Sequence, residues 1–201
     1  PADEAPEESE SLSEVVTALS EADAVLTNEE GEIIPLASQD AVEALKAPDP
    51  YVVRGAVTHR FLTDCAGYPV DTNNTCTVTA TPVSDAVTFA VAGETVVIDG
   101  GTYVEQVYID KNITLRGING ATIQSPDTLT ASFTSSKVNK PIIFVEGADN
   151  VTIEGLTIDG AGKGNANYRF NGIGFHNAGG SILNNIITAI RDTPFSGSQH
   201  G

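Results

Sequence analysis

Thirty residues, Thr95 to Gln124, constrain what this chain can fold into more than any other stretch. They read TVVIDGGTYVEQVYIDKNITLRGINGATIQ. Short apolar runs follow one another at Thr95–Ile98, Tyr103–Ile109, Ile113–Leu115 and Ala121–Ile123. Each is rich in Val, Ile or Tyr and closes on Gly, Asn or Asp, the pattern of short strands separated by tight turns. Strands this short cannot each close a core. They can share one if the chain coils and lays each turn on the last.

Two later segments repeat the theme. Asn150–Gly160 reads NVTIEGLTIDG and Gly180–Ile190 reads GSILNNIITAI. Beside Asn112–Gly117, NITLRG, they share a polar start, alternating apolar residues, a Gly or Asn kink and further apolar residues. The spacing between copies exceeds a bare coil of about 20–25 residues. Polar insertions at Ser125–Lys140 and Gly160–Asn171 account for the excess. In the last copy, either Asn184 or Asn185 matches Gly155.

GTYVEQVYIDKNITLRG resembles the opening coils of the right-handed parallel β-helix, pectin-lyase-like superfamily, and the resemblance extends over Thr88–Gly201. It implies a mainly β fold, a right-handed parallel β-helix with an N-terminal α/β cap. The same opening precedes enzymes, adhesins and structural proteins, so it specifies fold more closely than activity.

Charge is distributed unevenly. The chain carries a formal net charge of −17, and residues 1–50 hold fourteen acidic side chains against the single basic Lys46. That balance argues against a nucleic-acid groove and against binding to anionic membranes. No apolar run approaches the roughly 20 residues that span a bilayer. Cys65 and Cys76 bracket AGYPVDTNNT, a turn-rich loop. A disulfide there would place the protein outside the cytoplasm, extracellular or at the cell surface. Two free thiols are the alternative, and the lack of a second Cys pair argues against zinc.

Three segments are expected. Residues 1–10 form an acidic tail. Residues 11–90 form the α/β cap with the Cys65–Cys76 loop, and residues 91–201 form the coils, which either end at an open rung or continue beyond 201. Within the cap, SLSE is a capping box opening a helix at Ser11. NEEGE reads as a hairpin turn between Ala24–Thr27 and Ile33–Leu36, and Ser38 caps a helix over Gln39–Lys46. Two further β runs flank Arg54-Gly55, and a helix is predicted from Pro82 to Ala90. A cap of this kind resembles the head region of secreted bacterial β-helix surface proteins. It would cover the apolar end and unpaired edges of the first coil. Val107, Ile109, Ile113, Leu115, Val145, Val151, Ile153, Leu156 and Ile158 should point inward as ladders. Asn112, Asn150 and Asn184 or Asn185 should line the turns.

Candidate chemistry is sparse. Asp99, Asp110, Asp149, Asp159 and Asp192 close strand-like runs, where paired carboxylates could bind Ca²⁺ or act on a sugar. Turn chemistry explains the same positions. Tyr168, Arg169 and His176 are the candidate glycan contacts. Of three Asn-X-Thr acceptors, at Asn73, Asn112 and Asn150, only Asn73 lies away from a repeat turn. Arg191-Asp192-Thr193 superficially resembles the Gln-Asp-Thr motif of pectin methylesterases, but with Arg where that family has its oxyanion-holding Gln. No further catalytic Asp or Arg follows, so no catalytic set, metal site or cofactor is assigned.

The expected function is that of an extracellular structural or surface protein, a β-helix subunit of a filament, sheath or adhesin. Its copies would stack end to end as a homo-oligomer or polymer, and extracellular polysaccharide is a second expected partner. The alternatives are a carbohydrate-active β-helix enzyme of lyase or esterase type and a non-catalytic glycan-binding module.

Overall fold

The computed structural model describes residues 49–66, 68 and 70–194. All belong to one of the chain's two compact units, Pro48–Gly201. The acidic tail, the helix at Ser11, the hairpin around NEEGE, the helix over Gln39–Lys46 and the FSGSQHG end lie outside the described residues.

The described chain is mainly β. In order it forms β1 (Asp49–Arg54), β2 (Val57–Leu62), β3 (Asn74–Val78), helix α1 (Pro82–Phe89), β4 (Thr95–Asp99), β5 (Thr102–Val104), β6 (Val107–Ile109), β7 (Thr114–Ile118) and β8 (Thr122–Gln124). There follow β9 (Phe133–Thr134), β10 (Val138–Glu146), β11 (Val151–Glu154), β12 (Thr157–Asp159), β13 (Phe170–His176), β14 (Gly180–Leu183) and β15 (Ile186–Thr188). Three sheets result. The first has the order β14-β11-β7-β4-β1-β2-β3, the second β13-β10-β6 with β9 beside β10, and the third β15-β12-β8-β5. From β4 onward the chain visits the first, third and second sheets in rotation, apart from the short β9. All pairings between successive visits are parallel.

Register turns this rotation into side-chain columns. In the first sheet Val96 pairs with Leu115 and Ile153 pairs with both Leu115 and Ile182. In the third sheet Tyr103, Ile123, Ile158 and Ile187 align. In the second, Val107 aligns with Ile143 and Ile173, and Ile109 with Val145 and Phe175. Period-2 alternation sends these residues to one face and their neighbours to the other. All nine residues expected to point inward are buried.

Three local features depart from the sequence pattern. The run Tyr103–Ile109 is two strands, because Glu105 and Gln106 turn a corner between them. Glu105 is buried, and its two oxygens accept the Val83 and Ser84 amides at 3.1 and 2.9 Å. It thereby caps the first turn of α1, where Thr81 makes no side-chain cap. The Gln106 amide receives Thr130 and Ala131 N–H at 2.8 Å and donates to the Ala131 and Pro141 carbonyls, pinning the 125–140 insertion.

The second departure is the Asn column. Asn112 Oδ1 accepts the Asn150 amide at 3.0 Å, but the pairing of Val151 with Gly180 puts Gly179 at the next level. Asn184 and Asn185 lie at a different turn. Asn184 is the residue that matches Gly155, since Glu154 pairs with Leu183 and both kink residues are left-handed, at φ 54 and 69. A left-handed kink favours Gly and Asn over most other residues. Asn185 then fills the turn, accepting Leu156 N–H and donating to Ile153 O at 2.9 and 2.7 Å.

The third is the insertions, which are not free loops. Asn167 is buried and links them, accepting Leu129 N–H at 2.9 Å and donating to the Asp127 and Lys163 carbonyls. Lys163 Nζ adds contacts to Ser125 O and Asp127 Oδ1.

At the head, β1 pairs antiparallel with both β2 and β4, so the first sheet runs unbroken across the 90/91 boundary expected between cap and coils. The helix predicted at Pro82–Ala90 is α1, and it packs beside β6, β1 and β2. Cys65 and Cys76 form a disulfide with Cα atoms 6.1 Å apart, which settles the choice between bridge and free thiols. Closing this loop contributes about 2–3 kcal/mol in the chain-entropy picture. Arg60 is buried, with Nη1 2.9 and 2.8 Å from the two oxygens of buried Asp49.

Candidate functional site

The three predicted glycan contacts do not meet. Tyr168 is 65% exposed. Arg169, at φ 52, donates to Ser136 Oγ at 3.3 Å. Both precede β13, whereas His176 ends it. A strand of that length separates them by about 20 Å.

His176 instead belongs to a cluster on the outer face of the second sheet. Its Nδ1 lies 3.1 Å from Glu146 Oε1, the residue it pairs with across the sheet. The Tyr108 hydroxyl donates to the other oxygen of Glu146, also at 3.1 Å. Tyr108 leans on Phe144 with ring centres 5.4 Å apart. Phe133 lies almost parallel to both Phe144 and His176, at 5.6 and 5.1 Å with interplanar angles of 19° and 20°. The absence of a side chain at Gly174 makes room for the Phe133 ring. A Cβ there would stand 3.0 Å from Phe133 Cε1 and from Pro141 Cβ. Partial burial raises the pKa of the Tyr108 phenol, with the Glu146 hydrogen bond and the nearby Glu146 and Asp110 charges adding to it.

Sequence reasoning named His176 and missed its partners. Tyr108 and Glu146 were legible as outward neighbours of inward Ile109 and Val145. Phe133 sits in an insertion, and no periodicity marks where its ring folds back.

The remaining candidates are structural in their contacts. Asp99 accepts from Asn119 Nδ2 at 2.7 Å. Asp159 accepts Ala161 N–H and Gln124 Nε2 at 2.8 and 2.9 Å. Asp110 lies 3.6 Å from Lys111 Nζ. Asp192 is buried near Gly164, and Thr193 beside it is strapped to Asn165 and Gly162. Asn73 is exposed in the disulfide loop. Among the described residues, no group of three or more His, Cys, Asp or Glu is placed to hold a metal ion.

A second feature is the outer edge of the last described strands. Among the described residues, β13, β14 and β15 each pair on one side only. Ile182 continues the column of fully buried Leu115 and Ile153 yet is 48% exposed, and Ile186 and Leu183 are exposed beside it. Unpaired amides and carbonyls next to apolar side chains form a surface that accepts another strand layer.

No helix among the described residues is long and apolar enough to cross a membrane. No protein-family model matches the chain, and neither a curated protein nor a solved structure matches it at a significant level.

Proposed function

We propose that this chain is part of a right-handed parallel β-helix of the pectin-lyase-like type, and that it serves outside the cytoplasm as a structural or surface protein, in a filament, sheath or adhesin. The rotation of strands through three sheets in parallel register supports the coiled architecture, and right-handed crossovers are the rule for parallel strands. The disulfide supports an oxidising location. The observation that carries the stacking role is that, among the described residues, β13, β14 and β15 pair on one side only, with Ile182 exposed at the end of an otherwise buried column.

Stacking is tested by sedimentation velocity over a concentration series, comparing the native sequence with Ile182→Asp. The native chain should form concentration-dependent oligomers or fibres. Ile182→Asp should lose them while keeping its circular dichroism spectrum, because a charge at that edge repels a second layer. A native chain that stays monomeric at every concentration, or a variant that assembles equally well, would defeat the stacking role.

A further inference from the structure

We infer that the edge presented by β13, β14 and β15 docks on the same edge of a second copy, closing two chains into a symmetric pair. Such a pair rests on the stacking role proposed above and narrows it, since the contact is complete at two copies.

The head decides between a closed pair and one-directional stacking. Stacking in one direction needs a head surface that receives all three strands of the last described turn. In the first sheet that place is filled. β1 lies antiparallel along β4, with Asp49 opposite Asp99 and Val52 opposite Val96, and β2 and β3 extend the sheet beyond it. In the second sheet the head strand is β6. Helix α1 touches β6 as well as β1 and β2 and buries Val83, Ala86 and Val87 in the core, so it lies across that end. Glu105 holds its first turn through the Val83 and Ser84 amides. Lys111 Nζ holds its last through the Val87 and Thr88 carbonyls, at 3.3 and 3.2 Å. In the third sheet β5 pairs on one side only among the described residues, but β14 and β15 belong to one turn of the chain, as β4 and β5 do. A copy that set its β15 on β5 would drive its β14 into β1. Strand β3 offers no substitute, because it ends the first sheet alone and presents one edge where a turn of the chain presents three.

The edge itself suits a two-fold contact. β14 and β15 carry no ionisable side chain and β13 carries only His176, in a chain of net charge −17. Two such edges meet without bringing like charges together, which is what opposes self-association elsewhere on an acidic surface. Ile182, Leu183 and Ile186 are exposed there, and an apolar row is complementary to itself. A two-fold axis across the edge runs facing strands antiparallel, a pairing slightly stronger per residue than the parallel one. The same patch is then buried on both copies, and no edge of this kind is left for a third.

The test is sedimentation velocity of the full chain beside two variants. The native chain should approach twice its 20.9 kDa mass at high concentration and grow no further. Val104→Asp, at an exposed position of β5, should leave the dissociation constant within about twofold, because the head takes no part. Fluorescently labelled Ile182→Asp, mixed with excess native chain, should bind it at least about tenfold more weakly than the native chain binds itself. Its altered edge is the surface by which it would join. In one-directional stacking its intact head would instead cap the native edge, and it would sediment with the native chain. Growth beyond the pair, co-sedimentation of the labelled variant at native strength, or loss of pairing in a folded Val104→Asp chain overturns the inference and leaves the stacking role standing. A native chain that is monomeric at every concentration overturns both.

Discussion

Replacing Leu115 by Ala should lower stability by about 3–4 kcal/mol, read as a shift of the urea midpoint at unchanged slope. Leu115 is fully buried and stands in the middle of the first-sheet column, paired with Val96 on one side and Ile153 on the other. Both neighbours are held by their own strands, so the space left by the truncation cannot collapse fully, and a cavity cost adds to the lost transfer energy. Ile182 has the same chemistry in the same column but, among the described residues, a strand partner on one side only, and it is half exposed. Ile182→Ala should therefore cost less than about 1 kcal/mol. Equal losses at the two positions would mean that the column is not ordered as described.

The second large effect is expected at the head of the first sheet. Asp49→Ala should destabilise by about 3–5 kcal/mol, because it leaves the Arg60 guanidinium buried without the carboxylate that Nη1 now contacts on both oxygens. Arg60 also lies over the rings of Tyr51 and Tyr68, at 4.9 and 5.1 Å, so the site cannot easily open to admit water. The double variant Asp49→Leu with Arg60→Met should recover most of that loss, since exchanging a buried pair for apolar side chains of similar volume is commonly neutral. Equilibrium denaturation of Asp49→Leu, Arg60→Met and the double variant closes the cycle. A double variant as unstable as Asp49→Ala would show that the pair contributes through more than mutual neutralisation.

The sheets were largely legible in the chain because their grammar is local. Val107, Ile109, Ile113 and Leu115 alternate with polar residues, and most left-handed kinks fall where Gly or Asn stands, with Ala161, Arg169 and Ala189 as exceptions. Glu105 and Gln106 broke that reading. They look like one polar interruption in an apolar strand, but they serve a helix twenty-two residues earlier and an insertion twenty-four residues later. Long-range contacts of that kind leave no periodic trace. The Asn column failed at Gly179 for a related reason. The level of a turn is set by the register of the flanking strands, here β11 with β14, and the resemblance between copies did not determine it. The candidate site was legible only in fragments. His176 stood out by residue type, but the partner that gives it a role, Glu146, lies across the sheet. The ring cluster depends on Phe133 folding back over position 174, where a Cβ would press on it at 3.0 Å. Tyr168 and Arg169, adjacent in sequence and chemically suggestive, sit at the opposite end of the strand from His176.

The most direct test of the account is methyl–methyl NOE spectroscopy on a chain labelled at Ile, Leu and Val methyls. Successive visits of the chain to each sheet lie side by side in parallel register. Cross-peaks are expected from Ile153 to both Leu115 and Ile182, from Ile158 to both Ile123 and Ile187, and from Ile143 to both Val107 and Ile173. Direct cross-peaks between Leu115 and Ile182, with Ile153 absent from between them, would contradict the order of the turns and with it the stacking role built on the last of them.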